Sequence, residues 1–293
     1  MTTIQQINTY SDIDWELLWQ QARVSKSWKS KGAREWDSKA AAFSTRTRTS
    51  PYVDKFLAHL DLRDTMHVLD VGCGPGTLAL PIAQRVEQVT ALDYSPGMLD
   101  CLSEMAESQG LTNIRAVRCA WEDDWRKHDI GTHDIVIASR SMNIEYPLSG
   151  LRKLVDHCRK RTGRIIIAER IEPSPFDPDA FEAIGRPFAS GPDYIYTLNM
   201  LYTLGIHPQI SHIELDRELR FSDLDHALQS YAWMFKELSD DEEQRLRQFL
   251  RGRIIEQQDD YIVIERNHPQ RWALLHWTNA QEVLESTRQT QKS

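Results

Sequence analysis

Residues 68–83 read VLDVGCGPGTLALPIA, and this stretch decides the fold class. A short apolar run meets three glycines, Gly72, Gly74 and Gly76, and helix-forming residues resume at Thr77. Glycine serves where the backbone must turn tightly or approach a ligand, and the free N–H groups of a following helix face whatever binds there. The spacing is G-x-G-x-G, so Thr77 stands where the dinucleotide fingerprint G-x-G-x-x-G has its third glycine. There is no G-K-[ST], and no Lys or Arg lies between Val68 and Gln84 to neutralise a phosphate. Asp70, just ahead of the glycines, would repel one. A second acid, Asp93, follows Gly72 by 21 residues, close to the ~20 expected of an acid that holds ribose hydroxyls. Two carboxylates around a glycine loop suit a nucleoside that carries positive charge and no phosphate.

Outward from this loop, strand patterns at 67–72, 88–93, 113–118, 133–139 and 163–170 alternate with helical patterns near 77–86, 96–109 and 148–161, after a helix over 52–60. The helix at 96–109 carries its own signals: Ser95 as N-cap, Pro96 in the first turn and Gly110 at the end. Such alternation predicts right-handed crossovers and a mostly parallel sheet, with ligands beyond the carboxyl ends of the strands. After Ile171 the alternation stops. A proline-rich turn, EPSPFDP, leads to a helical DYIYTLNMLYTLG, a strand-like ISHIELDREL and two more helices, the second opening with the capping box Ser239 and Glu242. DYIVIERN and RWALLHWT, either side of Asn267-His268-Pro269, read as a hairpin.

The expected architecture is α/β: a Rossmann-like doubly wound, mostly parallel sheet with a C-terminal antiparallel hairpin, an N-terminal helical cap and a helical lid insertion. The expected divisions are a cap at 1–50, a nucleoside-binding core at 51–172, a lid or substrate region at 173–255, and a hairpin with polar tail at 256–293.

VLDVGCGPGTLALPIA followed by VTALDYSPGML resembles the first two motifs of class I S-adenosylmethionine-dependent methyltransferases, in particular the bacterial small-molecule type. The resemblance covers about residues 50–172. It implies S-adenosyl-L-methionine as cofactor, with Asp70 and the loop Gly72, Cys73, Gly74, Pro75, Gly76 and Thr77 at its methionine end, Asp93 on the ribose, and Tyr94 and Met98 beside the adenine. The third motif departs from the family pattern: in RCAWEDDW, Cys119 stands where an adenine-binding Asp is usual, so Ala120, Trp121 and Glu122 are all candidates. After the fourth strand the chain reads ASRSMNIEY and lacks the [DNS]-P-P-[YF] loop of base N-methyltransferases. Ser139 is a further cofactor candidate there, and Arg140, Asn143 and Tyr146 are substrate candidates. The segment EWDSKAAAF resembles the N-terminal helix that closes the cofactor cleft in small-molecule members, which would put Trp36 and Phe43 at the substrate. The catalytic residue stays unassigned, with Asn143, Glu145, Tyr146 and His207 as possible bases. For Trp121, Trp36 and Phe43, packing alone is an equal or better explanation.

The formal charge is −8, so the chain has no global attraction for nucleic acid or anionic membrane. A basic, aromatic stretch, with Arg23, Lys26, Lys29, Lys31, Arg34, Lys39, Arg46 and Arg48, leaves an RNA or protein acceptor as the alternative to a small molecule. A solvated helix face is the commoner use of such charge. An NAD-binding oxidoreductase and a cofactor-binding module without activity are further alternatives, and Asp70 and Thr77 speak against the first. The four cysteines form no C-x-x-C pair and the histidines no H-E-x-x-H, so neither disulfide nor metal is expected. No leader or membrane span is read, and a cytoplasmic location is expected.

Overall fold

The computed structural model describes residues 9–27, 37, 50–235 and 237–280. Strands β1 (His67–Val71), β2 (Gln88–Asp93), β3 (Ile114–Arg118), β4 (Ile135–Ser139) and β5 (Arg164–Arg170) alternate with α3 (Ala79–Ala83), α4 (Pro96–Ser108) and α5 (Pro147–Asp156). Two helices precede them, α1 (Trp15–Ser25) and α2 (Pro51–Leu57). The expected alternation therefore stands, with boundaries moved by a few residues.

The rest of the chain supplies α6 (Pro178–Ala183), α7 (Tyr194–Thr203), β6 (Gln209–Glu214), β7 (Glu218–Phe221), α8 (Leu224–Ala232), α9 (Asp240–Gly252), β8 (Ile254–Gln257), β9 (Ile262–Glu265) and β10 (Arg271–Thr278). The main sheet has seven strands in the order β3-β2-β1-β4-β5-β10-β6. Strands β1 to β5 pair in parallel, and β10 runs antiparallel to both β5 and β6. The order reverses at β1 and β4, so a crevice opens beyond their carboxyl ends.

Both faces of this sheet are covered, which is why its central strands read as near-continuous apolar runs. Val68, Ile137, Ile166 and Leu274 face one side with α2, α3 and α4. Leu69, Val136, Ile167 and Leu275 face the other with α1, α5 and α7. Alternate residues of each strand thus go to opposite cores.

The hairpin expected at the C-terminus is not formed. Strand β9 pairs with β7 and β8 in a separate three-stranded sheet, whereas β10 enters the main one. The reason is a side-chain anchor on the connection between them. Arg266 donates to the carbonyls of Pro175 and Phe176, and the Asn267 amide donates to Asp179, so the chain is tied to the proline-rich turn and passes between sheets instead of folding back. ISHIELDREL likewise divides into β6 and β7, one strand for each sheet.

The small sheet packs with α6, α8 and α9 around a third core containing Phe176, Phe181, Tyr231, Phe235, Leu246 and Ile264. Inside it Arg266 Nε lies 3.4 Å from Asp177 Oδ2, each side chain being 3% exposed. The Tyr231 hydroxyl donates to the same carboxylate at 3.2 Å. Removing one member of such a pair leaves the other charge buried, which costs about 3–5 kcal/mol. Asp177→Ala is therefore expected to lower stability by roughly 3 kcal/mol in denaturant unfolding. Glu265→Ala, on the exposed end of the same strand pair, should leave it nearly unchanged.

Candidate active site

The glycine loop is built by three residues in the left-handed region, Gly72 (φ 72°), Gly74 (φ 55°) and Gly76 (φ 85°). This backbone lets two successive amides, those of Gly72 and Cys73, donate to one acceptor, the Leu92 carbonyl, at 2.7 and 2.9 Å. A side chain at position 72 would put its Cβ 2.4 Å from Ser141 Cβ, and one at 76 would meet Leu102 Cδ1 at 2.4 Å. Ser141 in turn donates to the Val71 carbonyl at 2.6 Å, so the loops after β1 and β4 are locked together.

The two acids differ in how they are held. Asp93 accepts from the Gly74 amide at 2.9 Å and from the Ser95 amide at 2.9 Å, and bridges the loop to the start of α4. Burial raises its pKa and these amides oppose the rise. Asp70 is 2% exposed and its Oδ2 has no partner. Burial, reinforced by the Asp93 charge and offset in part by Arg140, pushes its pKa up to about 7. A desolvated carboxyl without a donor is a seat for a cation.

Of the other positions named from sequence, Met98 is buried in α4 and Tyr94 stands exposed at the carboxyl end of β2. At the end of β3 the Ala120 amide donates to Asp123 and its carbonyl receives the Trp125 indole. Glu122 is exposed. Trp121 turns toward the second core, 5.6 Å from the Trp125 ring and against Gly150 of α5, with its indole N–H buried and unpartnered.

Ser139 ends β4, where its hydroxyl meets that of Tyr52 at 2.7 Å. Arg140 has φ 59°, a conformation disfavoured for a residue with a side chain, and its guanidinium lies 4.2 Å from the Tyr52 ring centroid. Tyr146 and Glu145 are exposed on the following loop. That loop is pinned by α1: Trp19 donates to the Ile144 carbonyl at 2.8 Å, Gln20 to that of Glu145 at 3.0 Å, and Glu16 accepts the Leu148 amide at 3.0 Å. Asn143 lies within it. His207 is placed elsewhere. It precedes β6, which runs parallel to β5, so it sits at the amino-terminal edge of the sheet and packs on Tyr202. Trp36 and Phe43 lie outside the described residues.

Three site residues escape a sequence reading. Tyr52 is an ordinary apolar position of an amphipathic helix until the fold sets it under Arg140. Asp37 accepts from the Ser95 hydroxyl at 2.6 Å and the Gly97 amide at 3.0 Å, which caps α4 beside Asp93. These bonds lower its pKa. Its place in EWDSK gives no hint of this. Glu169, near the end of β5, reads as one polar interruption of a buried strand. The fold also gathers Cys119, Asp123 and His128, whose ligand atoms lie within 4.8 Å of one another. The Lys153 ammonium donates to the carbonyl of Asp123 at 2.7 Å and opposes a cation there.

Residues 68–162 match the family model described as a methyltransferase domain. An uncharacterized protein of Haemophilus influenzae is 33% identical over 273 residues, covering 92% of this chain and 98% of that one. The chain belongs to the class I S-adenosylmethionine-dependent methyltransferases. A crystal structure of a Bacillus halodurans protein assigned as a methyltransferase shares the fold of this class I chain, with a TM-score of 0.55 at 15% identity over 79% of this chain and all of that one. A 23S rRNA (uracil(1939)-C(5))-methyltransferase of Klebsiella pneumoniae is 35% identical over 77 residues, 25% of this chain and 18% of that one.

The loop geometry makes a direct prediction. Gly72→Ala forces a Cβ into Ser141 and strains a left-handed residue by about 1–2 kcal/mol before the clash is counted. It is expected to lower the melting temperature, and Gly110→Ala, at a left-handed position open to solvent, to lower it less.

Proposed function

We propose that the chain transfers a methyl group from S-adenosyl-L-methionine to a small-molecule acceptor. The observation that carries this reading is the buried, unpartnered carboxyl of Asp70 beside the left-handed Gly72–Gly76 loop, with Asp93 one strand away. The cofactor brings an ammonium and a sulfonium and no phosphate, so its charge complements both acids. Asp70 and the Gly72–Gly76 backbone would hold the methionine end, Asp93 the ribose, and Tyr94 and Met98 the adenine. Bound there, the cofactor supplies an electrophilic methyl, and the chain's part is alignment and exclusion of water. Holding two reactants in attack geometry is worth ~10⁵–10⁸ M of effective concentration.

A small acceptor is favoured by the way the crevice is walled. The loop after β4 is pinned under α1, α7 lies across β5, and Glu169 of β5 and Thr197 of α7 are almost fully buried. We read the insertion from 173 to 255 as the cover of this chamber. The local match to an RNA-modifying enzyme favours the competing reading, a nucleic-acid acceptor. The two separate by salt: phosphate contacts make binding fall steeply with ionic strength, and a small-molecule enzyme lacks that slope. Reversing Lys26, Lys29 and Lys31 to Glu is expected to leave turnover intact.

Calorimetric titration with S-adenosylmethionine and S-adenosylhomocysteine is the test, with NAD as control. Micromolar binding of both, lost in Asp70→Ala and Asp93→Ala, is expected. A folded wild type that binds neither, or prefers NAD, overturns the reading. The pH dependence follows from Asp70. Its folded pKa of about 7 lies above the ordinary 3.8, so the empty protein keeps this proton longer than the unfolded chain does, and stability drawn from it is lost as pH rises from about 4 to 7. A bound cation favours the carboxylate. Affinity should therefore rise between pH 5.5 and 7.5 with proton release, seen as a buffer-dependent enthalpy and absent in Asp70→Asn.

A further inference from the structure

We propose that Glu169 is the acceptor-side base, with its carboxylate facing the methyl to be transferred and taking the proton of the acceptor's nucleophile; this rests on the S-adenosylmethionine reading above. Asp70, Ser139 and Glu169 occupy the carboxyl ends of three adjacent strands, β1, β4 and β5. The register sets Asp70 level with Ile137 and Ile166, so Glu169 lies two strands across and three residues nearer the carboxyl end, about 14 Å from the acid that would hold the cofactor's methionine end, with its side chain on the face of Ile167 toward α7. That interval accommodates the methyl and a small acceptor on the side of the crevice that α7 covers. The Tyr52 hydroxyl feels both: the charges of Asp70 and of Glu169 each push its pKa up.

Glu169 is 6% exposed, and its Oε1 is shut off from solvent with no hydrogen-bond partner. A buried carboxyl is costly unless something satisfies it, and its neighbours do not. Arg170, the next residue, spends its guanidinium on the carbonyls of Gly191, Pro192 and Ser174. Asp193, which caps α7, repels it. One turn further along α7, Thr197 is wholly buried with its hydroxyl also unpartnered. Two unsatisfied polar groups thus occur where α7 covers the end of β5, as a binding chamber for a hydroxyl or amine would require. Burial lifts the Glu169 pKa to about 8, partly opposed by Arg170, which poises it for proton transfer near neutral pH.

The step balances without further reagents. The nucleophile's lone pair forms the new bond to carbon, the S–CH₃ pair returns to sulfur as a neutral thioether, and the proton released by the acceptor's O–H or N⁺–H passes to the Glu169 carboxylate.

Sinefungin tests this without knowledge of the acceptor, because a C–NH₃⁺ group replaces the S–CH₃ of the cofactor and points where the methyl points. At pH 8.5 wild type should bind sinefungin at least tenfold more tightly than S-adenosylhomocysteine. Glu169→Gln should reduce that preference to within about twofold and leave the affinity for S-adenosylhomocysteine unchanged. Glu169→Asp, which keeps the charge and shortens its reach, should lose most of the preference as well and serves if the Gln variant does not fold. An undiminished preference in both variants, or no preference in wild type that binds S-adenosylhomocysteine, overturns the assignment. Wild type that binds no cofactor analogue would instead remove the S-adenosylmethionine reading on which it rests.

Discussion

The carbonyl of Leu92 receives the amides of both Gly72 and Cys73, and the arrangement of the crevice depends on that shared acceptor. The two successive N–H groups converge on that oxygen through the left-handed backbone of Gly72. The turn brings β1's loop over the end of β2. It places Gly74's amide on Asp93, leaves the space that Ser141 fills, and strands Asp70 beneath the loop without a donor. A Cβ at position 72 would separate the loops after β1 and β4, so the glycine is required by its neighbour as much as by its own φ.

Electrostatics then sorts the crevice into two ends. Asp93 is satisfied by backbone amides and is held in place by them. Asp70 is desolvated and unsatisfied, so it gains most from a cation. Arg140, held over Tyr52 in a disfavoured backbone conformation, offsets the acid charge without pairing with it. Asp70 is thus the unsatisfied charge of the crevice and Asp93 the satisfied one. Asp37 adds an acid beside Asp93 and joins the N-terminal segment to the start of α4.

The third core gives the chain its other half. Arg266 and Asp177 bind the connection between β9 and β10 to the proline-rich turn, so the small sheet and its helices are fastened to the end of β5 through residues 171–178. From there the chain runs into α7, which lies across β5 with Thr197 turned inward. The helix that covers β5 is thus tied in through a buried ion pair remote from it.

The amino-acid sequence by itself determined the parallel core, because alternating apolar runs and helical faces are local patterns and the Gly72–Gly76 loop with Asp70 and Asp93 is a short-range motif. It also determined which end of the sheet carries the glycine loop and both acids, since strand direction follows from the crossovers. Only the tertiary structure decided where β9 and β10 go, because a turn-like Asn267-His268-Pro269 cannot reveal that Arg266 and Asn267 are anchored 90 residues away in sequence. It alone removed His207 from the site, by setting β6 parallel to β5. It alone brought Tyr52, Asp37 and Glu169 to the crevice, because each is unremarkable in its own segment and acquires its role from partners on other elements. Local pattern specifies how a segment folds; which polar group is left buried and unsatisfied depends on what packs against it.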